Sequence, residues 1–383
     1  MGNVDGTWTD RRELFSDLRR VVVKLGTRVV TVHDNALNLP LIDRLAGDVA
    51  EVREEGLQVA IVSSGAVSAG MGRLGLKTRP KRIQELQATA AVGQGLLMNA
   101  YKLAFRSHGI PVGQVLLTSE DLDNRRRYVN ARNTLEVLFR FGAIPIINEN
   151  DSVAIEEIQL SVGDNDRLSA MVSHLIDANL LITMTDVDGF YSDDPSRNRD
   201  AVLIPEVREL TPEMLEGAGK AGTEVSQGGM RTKLQAAESV TQGGRMMVIA
   251  NGHKNRLTDI VGGKPVGTVF LANQCKLTDR KLWIANSRCR GAVVVDDGAV
   301  QAIESRGKSL LPSGIVDVVG EFEAGELISV ENRERNQVAR GLVRYGSNEI
   351  RKILGKKTFE IADILEIDGA REVVHCDDLV VFT

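Results

Sequence analysis

Two lysines occur in sequence contexts where an ammonium group requires an anion. Lys24 lies within an apolar run, 21–25, that is typical of a buried strand, and a buried lysine is costly unless its charge is paired. Lys233 follows a glycine pair and lies in the first turn of a predicted helix over 230–240, where main-chain N–H groups favour anions. Both contexts favour contact with phosphate oxygens. Each lysine alone also fits a simpler role, Lys24 reaching solvent from an edge strand and Lys233 lying on the surface.

Polar side chains follow several predicted strands and should meet at one edge of a sheet. Ser64 and Gly65 come after the strand 59–62, and Asn148 begins a polar string after the strand 144–147. The carboxyl ends of parallel strands face one crevice, and carboxylates or amides there can hold an ammonium group. Helix capping or a tight turn would explain any one of these residues alone. The residues expected in this crevice besides the lysines are the strings from Ser63 to Ala66, from Asn148 to Asp151 and from Gly163 to Asp166, with Thr185 and Asp186.

Two glycine signatures of nucleotide sites do not fit this chain. Gly70 to Gly75 match the pattern GxGxxG, but Gly70 lies eight positions after Val62, and Ala90 stands where a dinucleotide site needs an acidic residue. The phosphate-loop pattern GxxxxGK[ST] is missing, because the glycine and lysine near Lys77 are out of register by one. The sequence therefore argues against a dinucleotide site.

Strand-like and helix-like segments alternate from residue 21 to residue 270. The strands are apolar throughout, as in a parallel sheet covered on both faces. After residue 270, short β-runs separated by Gly, Asp and Asn turns follow, at 292–295, 315–319, 326–330, 342–345 and 373–375. We therefore predict an α/β fold, mainly a parallel sheet sandwiched by helices, plus a small β-rich barrel domain. The predicted divisions are an N-terminal extension 1–20, an α/β domain 21–272, a linker 273–289 and a β-rich domain 290–383.

Composition and charge favour an enzyme that acts on small molecules. The chain has 383 residues, a net charge of −5 and 43% hydrophobic residues, unlike a disordered chain or a strongly basic nucleic-acid binder. Residues 290–383 hold 12 basic and 17 acidic side chains, so the excess acidity belongs to the tail. Cys275, Cys289 and Cys376 are too far apart for a disulfide framework or paired zinc ligands. With no signal-peptide or membrane-spanning pattern, we expect a cytoplasmic protein.

The order of these motifs resembles that of the amino-acid kinase family, and of its branch that phosphorylates glutamate. The resemblance runs from Val21 to the C-terminus. The tail resembles the PUA domain attached to many bacterial members of that branch. The motifs that carry the resemblance are VVVKLGT at 21–27, SSGAVSAG at 63–70, INENDSV at 147–153, VGDND at 162–166, TD at 185–186 and GGMRTK at 228–233.

The resemblance implies a role for each motif. Lys24 and Lys233 would be catalytic, stabilising the transferring phosphoryl group, and Asp166 would orient both lysines. Gln227 stands where the family commonly has threonine. ATP would bind at Lys24, Thr185, Asp186, Gln227, Gly228, Gly229, Met230, Arg231, Thr232 and Lys233. Glutamate would bind at Ser64, Gly65, Asn148, Asp151 and Asn165. No metal ligand is expected from the protein, because Mg²⁺ would sit mainly on ATP oxygens.

The implied activity is ATP-dependent phosphorylation of the L-glutamate side-chain carboxylate to L-glutamyl 5-phosphate, the first step of proline biosynthesis. Two alternatives remain open: a related kinase with another acyl acceptor, and RNA binding through the PUA-like tail. The acidity of the tail argues against RNA, because phosphate-driven binding needs clustered Lys and Arg. The resemblance also implies feedback inhibition by proline and assembly into a homodimer or homotetramer, with no membrane contact.

Overall fold

The chain divides into two compact units, Met1–Lys276 and Leu277–Thr383. The computed structural model describes residues 9–153, 164–220, 224–273, 278–367 and 372–382. The first unit is built on an eight-stranded sheet and the second on a five-stranded sheet. Within the described ranges, no helix has both the length and the apolar composition needed to cross a membrane.

Eight strands form the sheet of the first unit. They are β1 (Arg20–Leu25), β2 (Gln58–Ser63), β3 (Val112–Leu117), β4 (Ile144–Glu149), β5 (Leu180–Thr185), β6 (Glu206–Val207), β7 (Met246–Asn251) and β8 (Thr268–Phe270). Their order across the sheet is β3-β4-β2-β1-β5-β7-β8-β6. Neighbours from β3 to β7 run parallel, while β8 is antiparallel to β7 and parallel to β6.

Strand β1 lies in the interior of this sheet, between β2 and β5. Val21, Val22, Val23 and Leu25 are fully buried. Because successive side chains of a strand point to opposite faces, both faces of β1 are covered, as expected in a parallel sheet. The carboxyl ends of β1, β2, β4 and β5 consequently open onto one edge of the sheet, where Lys24 lies.

Helices cover this sheet. They are α1 (Arg11–Leu14), α2 (Thr27–Val30), α3 (Leu39–Glu54), α4 (Ala66–Leu74), α5 (Ile83–Arg106), α6 (Ser119–Asp123), α7 (Arg125–Arg140), α8 (Asp164–Leu175), α9 (Pro212–Lys220), α10 (Glu224–Gln242) and α11 (Leu257–Val261). The amphipathic helix α3 buries Leu41, Leu45, Val49 and Val52 in the main core, the face that the sequence predicted.

Helices α4 and α5 pack with their backbones almost in contact. A Cβ atom at Gly70 would lie 1.9 Å from the carbonyl oxygen of Thr89, and one at Gly93 would lie 1.8 Å from that of Ala66. Only glycine therefore fits at either position. Gly75 ends α4 in the left-handed conformation. The GxGxxG match at 70–75 thus serves helix packing and capping.

The described part of the predicted N-terminal extension 1–20 begins at Thr9, packs within the first unit and ends at Arg20, the first residue of β1. Arg11 is buried, and its Nη2 donates to the carbonyl oxygens of Pro205 at 2.7 Å and Gly267 at 3.1 Å. Residues 1–8 lie outside the described ranges. The extension therefore stabilises the β6–β8 end of the sheet.

The second unit has its own sheet and core. Its strands are β9 (Gly291–Val295), β10 (Ile315–Val319), β11 (Leu327–Glu331), β12 (Gln337–Leu342) and β13 (Leu379–Val381), in the order β10-β9-β11-β12-β13. Only the β9–β11 pair among these is parallel. Its helices are α12 (Asp279–Asn286), α13 (Asp297–Arg306), α14 (Ser347–Ile353) and α15 (Thr358–Leu365). Val293, Ile328 and Ile350 are fully buried in its core.

The predicted mainly parallel α/β sheet with a separate β-rich domain is confirmed, whereas several predicted elements of the tail are wrong. The predicted strand 342–345 instead ends at Leu342, and 373–375 forms one isolated bridge, between Val374 and Leu310. Strand β12 contains Ala339 and Gly341, which have low strand propensity, and pairing with β11 and β13 overrides that preference. Helix α12 lies inside the segment 273–289 that the sequence predicted as a linker.

Candidate active site

Lys24 lies near the carboxyl end of β1 and is only 5% exposed. Its Nζ lies 2.5 Å from Oδ1 of Asp166 on α8. A lysine that reached solvent from an edge strand would be exposed and its strand would be outermost, so that alternative does not apply. The buried ammonium group instead has a carboxylate partner within the chain.

The carboxylate of Asp166 contacts both lysines of the predicted site. Asp166 is 1% exposed, and its Oδ2 accepts hydrogen bonds from Thr232 Oγ1 at 2.9 Å and Lys233 Nζ at 3.2 Å. Lys233 Nζ also donates to the carbonyl oxygen of Gly229 at 3.0 Å. Packing of α8 against α10 brings these groups together. Lysines from distant parts of the chain therefore share one buried anion.

Burial and charge act in opposite directions on this cluster. Burial opposes ionisation of Asp166, but Lys24 and Lys233 outweigh it and hold the pKa of the carboxyl below its ordinary value. Burial also holds the pKa of Lys24 below its ordinary value, an effect that Asp166 offsets in part and Lys233 strengthens. Asp166 is therefore an ionised group that favours the ammonium form of Lys24, and it is poorly suited to donate a proton.

Four polar side chains form a hydrogen-bonded row beside this cluster. Asn165 donates from Nδ2 to Ser64 Oγ at 2.8 Å and to Asn148 Oδ1 at 3.3 Å. Asn148 in turn donates from Nδ2 to Gln94 Oε1 at 2.9 Å. We call Ser64, Asn165, Asn148 and Gln94 the polar row. The sequence predicted the first three, whereas Gln94 was missed, because a glutamine inside the long helix α5 belongs to no motif.

Two buried atoms of the polar row have no hydrogen-bond partner among the residues that the structure describes. Asn165 Oδ1 is an acceptor, and Gln94 Nε2 is a donor. Buried polar atoms are nearly always satisfied, and each unsatisfied one costs about 1–3 kcal/mol. One open acceptor and one open donor in the same row suit a ligand that carries both a cationic and an anionic group. An amino acid is such a ligand.

Ser64 and Gly65 form the turn between β2 and α4. Gly65 has φ of +103°, a conformation that residues with side chains rarely adopt. The N–H of Ser64 donates to the carbonyl oxygen of Leu25 at 3.1 Å. This bond ties the turn to the end of β1, so that Ser64 is held close to the strand that carries Lys24.

Thr185 and Asp186 lie at the end of β5, on the side of β1 opposite to β2. Thr185 Oγ1 donates to Asp186 Oδ1 at 3.1 Å, and Arg28 Nη1 donates to Asp186 Oδ2 at 2.9 Å. Asn251 Nδ2 donates to the carbonyl oxygen of Asp186 at 3.2 Å. Burial opposes ionisation of Asp186, but hydrogen bonds to its carboxylate from Arg28, from its own backbone N–H and from Thr185 hold its pKa below the ordinary value. A carboxylate here can accept hydrogen bonds from the hydroxyl or amino groups of a ligand.

Helix α10 begins earlier than the sequence predicted. It starts at Glu224, so Gly228 and Gly229 lie within the helix and Lys233 lies beyond its first turn. The side chain of Gln227 lies outside the described residues. The remaining predicted residues of this segment are Met230 and Thr232, which are half-buried, and Arg231, which is exposed.

Among the described residues, the carboxylates at this edge of the sheet are not grouped as three potential ligands of one ion. Asp166 is engaged by two lysines and Thr232, and Asp151 lies half-buried in the turn after β4. Across the described parts of the chain, three potential ligands lie close enough to share an ion only at His375, Cys376 and Asp377, in the second unit.

Comparisons with known proteins agree with these observations. Residues 19–251 match the model of the amino acid kinase family, and residues 291–365 match that of the PUA domain. A glutamate 5-kinase of Geobacter sulfurreducens is 48% identical over 373 residues, which cover 97% of this chain and 100% of that protein. Glutamate 5-kinases of Pelobacter propionicus and a Thermoanaerobacter species are 46% and 44% identical, and the matches cover 97% and 94% of this chain and 100% and 97% of those proteins. The chain therefore belongs to the amino acid kinase family, among its glutamate 5-kinases, and carries a PUA domain.

Proposed function

We propose that this chain transfers the γ-phosphoryl group of ATP to the side-chain carboxylate of L-glutamate. The products are ADP and L-glutamyl 5-phosphate, and the reaction is the first step of proline biosynthesis. The observation that carries this proposal is the identity of 43–48% with glutamate 5-kinases over nearly the whole chain. The geometry supports it, because two ammonium groups lie beside a polar row with open positions for an amino acid.

The reaction requires neutralisation of charge rather than proton transfer. A carboxylate nucleophile is already ionised at neutral pH, so no general base is needed. It must approach an anionic phosphoryl group, and Lys24 and Lys233 would stabilise the negative charge on the transferring oxygens. Asp166 would hold both ammonium groups in position. These three side chains are the ones to which we assign catalysis.

The two substrates would enter this cluster from opposite sides of β1. Glutamate would bind at Ser64, Gly65, Asn148, Asp151 and Asn165, on the side of β2 and β4. ATP would bind on the side of β5, at Thr185 and Asp186 and along α10 from Gln227 to Lys233. Mg²⁺ would arrive bound to ATP, because the carboxylate at the centre already has three protein partners.

An ADP-release assay with three acceptors tests the substrate. Purified protein is supplied with ATP and Mg²⁺ and with L-glutamate, N-acetylglutamate or aspartate in turn. We expect glutamate-dependent ADP formation that chelation of Mg²⁺ abolishes. Turnover of N-acetylglutamate but not of glutamate would refute this assignment and favour a related kinase with another acyl acceptor.

Family membership supports three further proposals. We propose that proline inhibits the enzyme, that it assembles as a homodimer or homotetramer, and that it acts in the cytoplasm. Adding proline to the same assay should lower the rate without changing the acceptor specificity. Light scattering on the purified protein should give a mass of two or four chains. A monomer, or a rate unaffected by proline, would contradict the corresponding statement.

We propose that the PUA domain does not bind RNA strongly. The local basic group at Arg351, Lys352, Lys356 and Lys357 is exposed, but Arg351 already pairs with Glu321 at 2.9 Å. The domain as a whole has an excess of acidic side chains, which weakens any binding driven by phosphate contacts. Tight, salt-dependent binding of RNA by the full-length protein, absent after charge reversal of this group, would contradict the proposal.

A further inference from the structure

We propose that Gln94 binds the α-carboxylate of glutamate through its Nε2 atom. This inference rests on the proposed function and concerns the same site. Its basis is that Gln94 ends the polar row with a buried donor that has no partner in the described part of the chain. No sequence motif includes Gln94, and its role is indicated only by the hydrogen bond that joins α5 to Asn148 on β4.

The order of strands places Gln94 at the end of the row farthest from the lysines. Lys24 lies on β1, Ser64 follows β2, and Asn148 lies on β4, and these three strands are consecutive neighbours in the sheet. Adjacent strands lie about 4.8 Å apart, so the row leads away from Lys24 as it passes from β2 to β4. A glutamate whose side-chain carboxylate meets the phosphoryl group must extend its α-carbon end along this row.

The hydrogen bonds of the row all lead outward from Asn165, to Ser64 on one side and through Asn148 to Gln94 on the other. Asn165 donates to Ser64 and Asn148, and Asn148 donates to Gln94. Reversing one amide alone would bring two NH₂ groups or two carbonyl oxygens together. The direction therefore leaves an acceptor at Asn165 Oδ1 and a donor at Gln94 Nε2. The acceptor suits an α-ammonium group, and the donor suits an α-carboxylate.

The backbone fixes the position of Gln94. The neighbouring Gly93 lets α5 approach α4 so closely that a Cβ atom there would overlap the carbonyl oxygen of Ala66. The Oε1 of Gln94 is held by Asn148, so its Nε2 is oriented before a ligand binds. A donor that is oriented in advance adds affinity at little entropic cost.

Two substitutions at Gln94 separate this inference from a structural role. Gln94→Leu removes the donor but keeps a side chain of similar volume, and Gln94→Glu replaces the donor with an anionic acceptor. Asn99→Leu is the control, because Asn99 is an exposed amide on the same helix. For each protein we would measure kcat and KM for glutamate, KM for ATP, the melting temperature, and turnover of glutamate α-amide, in which the α-carboxylate is replaced by a carboxamide.

We expect Gln94→Leu to raise KM for glutamate by about 10- to 100-fold, the usual effect of losing a hydrogen bond to a charged group. KM for ATP should change less than threefold. Gln94→Glu should lose more glutamate activity, because its carboxylate repels that of the substrate, and should gain at least tenfold in preference for the α-amide over glutamate. Asn99→Leu should match the wild type in every measurement.

Equal KM values for glutamate in Gln94→Leu and the wild type would overturn the inference. Unimpaired or improved use of glutamate by Gln94→Glu would also overturn it, since the row would then run in the opposite direction and Gln94 would face the ammonium group. If one of the two Gln94 variants fails to fold, the glutamate kinetics of the other variant test the inference. A wild-type protein without glutamate-dependent ADP formation would instead refute the proposed function, so the two failures are distinguishable.

Discussion

Replacing Asp166 by Asn would remove the charge that two lysines share while keeping the size of the side chain. Asp166 is 1% exposed and Lys24 is 5% exposed, so solvent would screen little of the change. Breaking a buried ion pair by removing one partner costs about 3–5 kcal/mol, because the other charge is left unpaired. We therefore expect a clear loss of stability in Asp166→Asn, measured as the free energy of unfolding in urea.

The same substitution should reduce the rate and change its dependence on pH. Two ammonium groups would lose their common anchor, and misplaced electrostatic stabilisers cost on the order of 10²–10⁴ in turnover. Asp166 raises the pKa of Lys24 against the effect of burial, so its removal lowers that pKa. The ammonium form is lost as pH rises through the pKa, and the alkaline fall in activity should therefore move to lower pH.

The assay is a pH–rate profile for ADP formation, with Asp177→Asn as the matched control. Asp177 pairs with Arg245 at 2.7 Å but is largely exposed, and its φ of +50° suits asparagine. The control should keep the wild-type rate and profile. If Asp166→Asn kept the wild-type rate with an unshifted alkaline limb, Asp166 would not position the lysines.

Three further outcomes follow from the structure. Lys24→Met and Lys233→Met should each lower kcat by about 10²–10⁴ with the fold retained, and a wild-type kcat in a folded variant would exclude that lysine from catalysis. Asp151→Ala should raise KM for glutamate more than KM for ATP, and equal effects on both would contradict its placement. Burial, aided by Arg245, lowers the pKa of His174 to about 3 from an ordinary value of 6.5. As the pH falls, His174 is therefore protonated in the unfolded chain before it is protonated in the folded protein. Stability should fall by about 1.6 kcal/mol between pH 6.5 and pH 5, and urea titrations should show a smaller fall in His174→Gln.

The parallel sheet and much of the candidate site could be predicted because local signals agree with the fold. Apolar runs such as 21–25 and 144–147 can be buried on both faces, and polar residues directly after them must lie at one edge of a parallel sheet. Lys24 could be identified as a candidate site residue for the same reason, because a charged side chain inside a buried apolar run needs a partner of opposite charge. These predictions require only the order of the segments along the chain and the spacing of their apolar residues.

The features that sequence reasoning missed depend on contacts between distant segments. Nothing local marks Gln94, whose hydrogen-bond partner Asn148 lies on β4. The early start of α10 at Glu224 was missed because the glycine pair at 228–229 predicts an interruption. In the second unit, β12 forms despite Ala339 and Gly341 because it is paired on both sides. Tertiary context outweighs propensity in each case.

Trapping the acyl phosphate would show whether the enzyme phosphorylates the side-chain carboxylate of glutamate. Hydroxylamine converts an acyl phosphate into a hydroxamate and leaves ATP and free carboxylates largely unchanged. With ATP, Mg²⁺ and glutamate, we predict formation of the side-chain hydroxamate of glutamate in proportion to ADP, and none when glutamate is omitted. Formation of ADP without the hydroxamate, or hydroxamate formation only with another acceptor, would contradict the account.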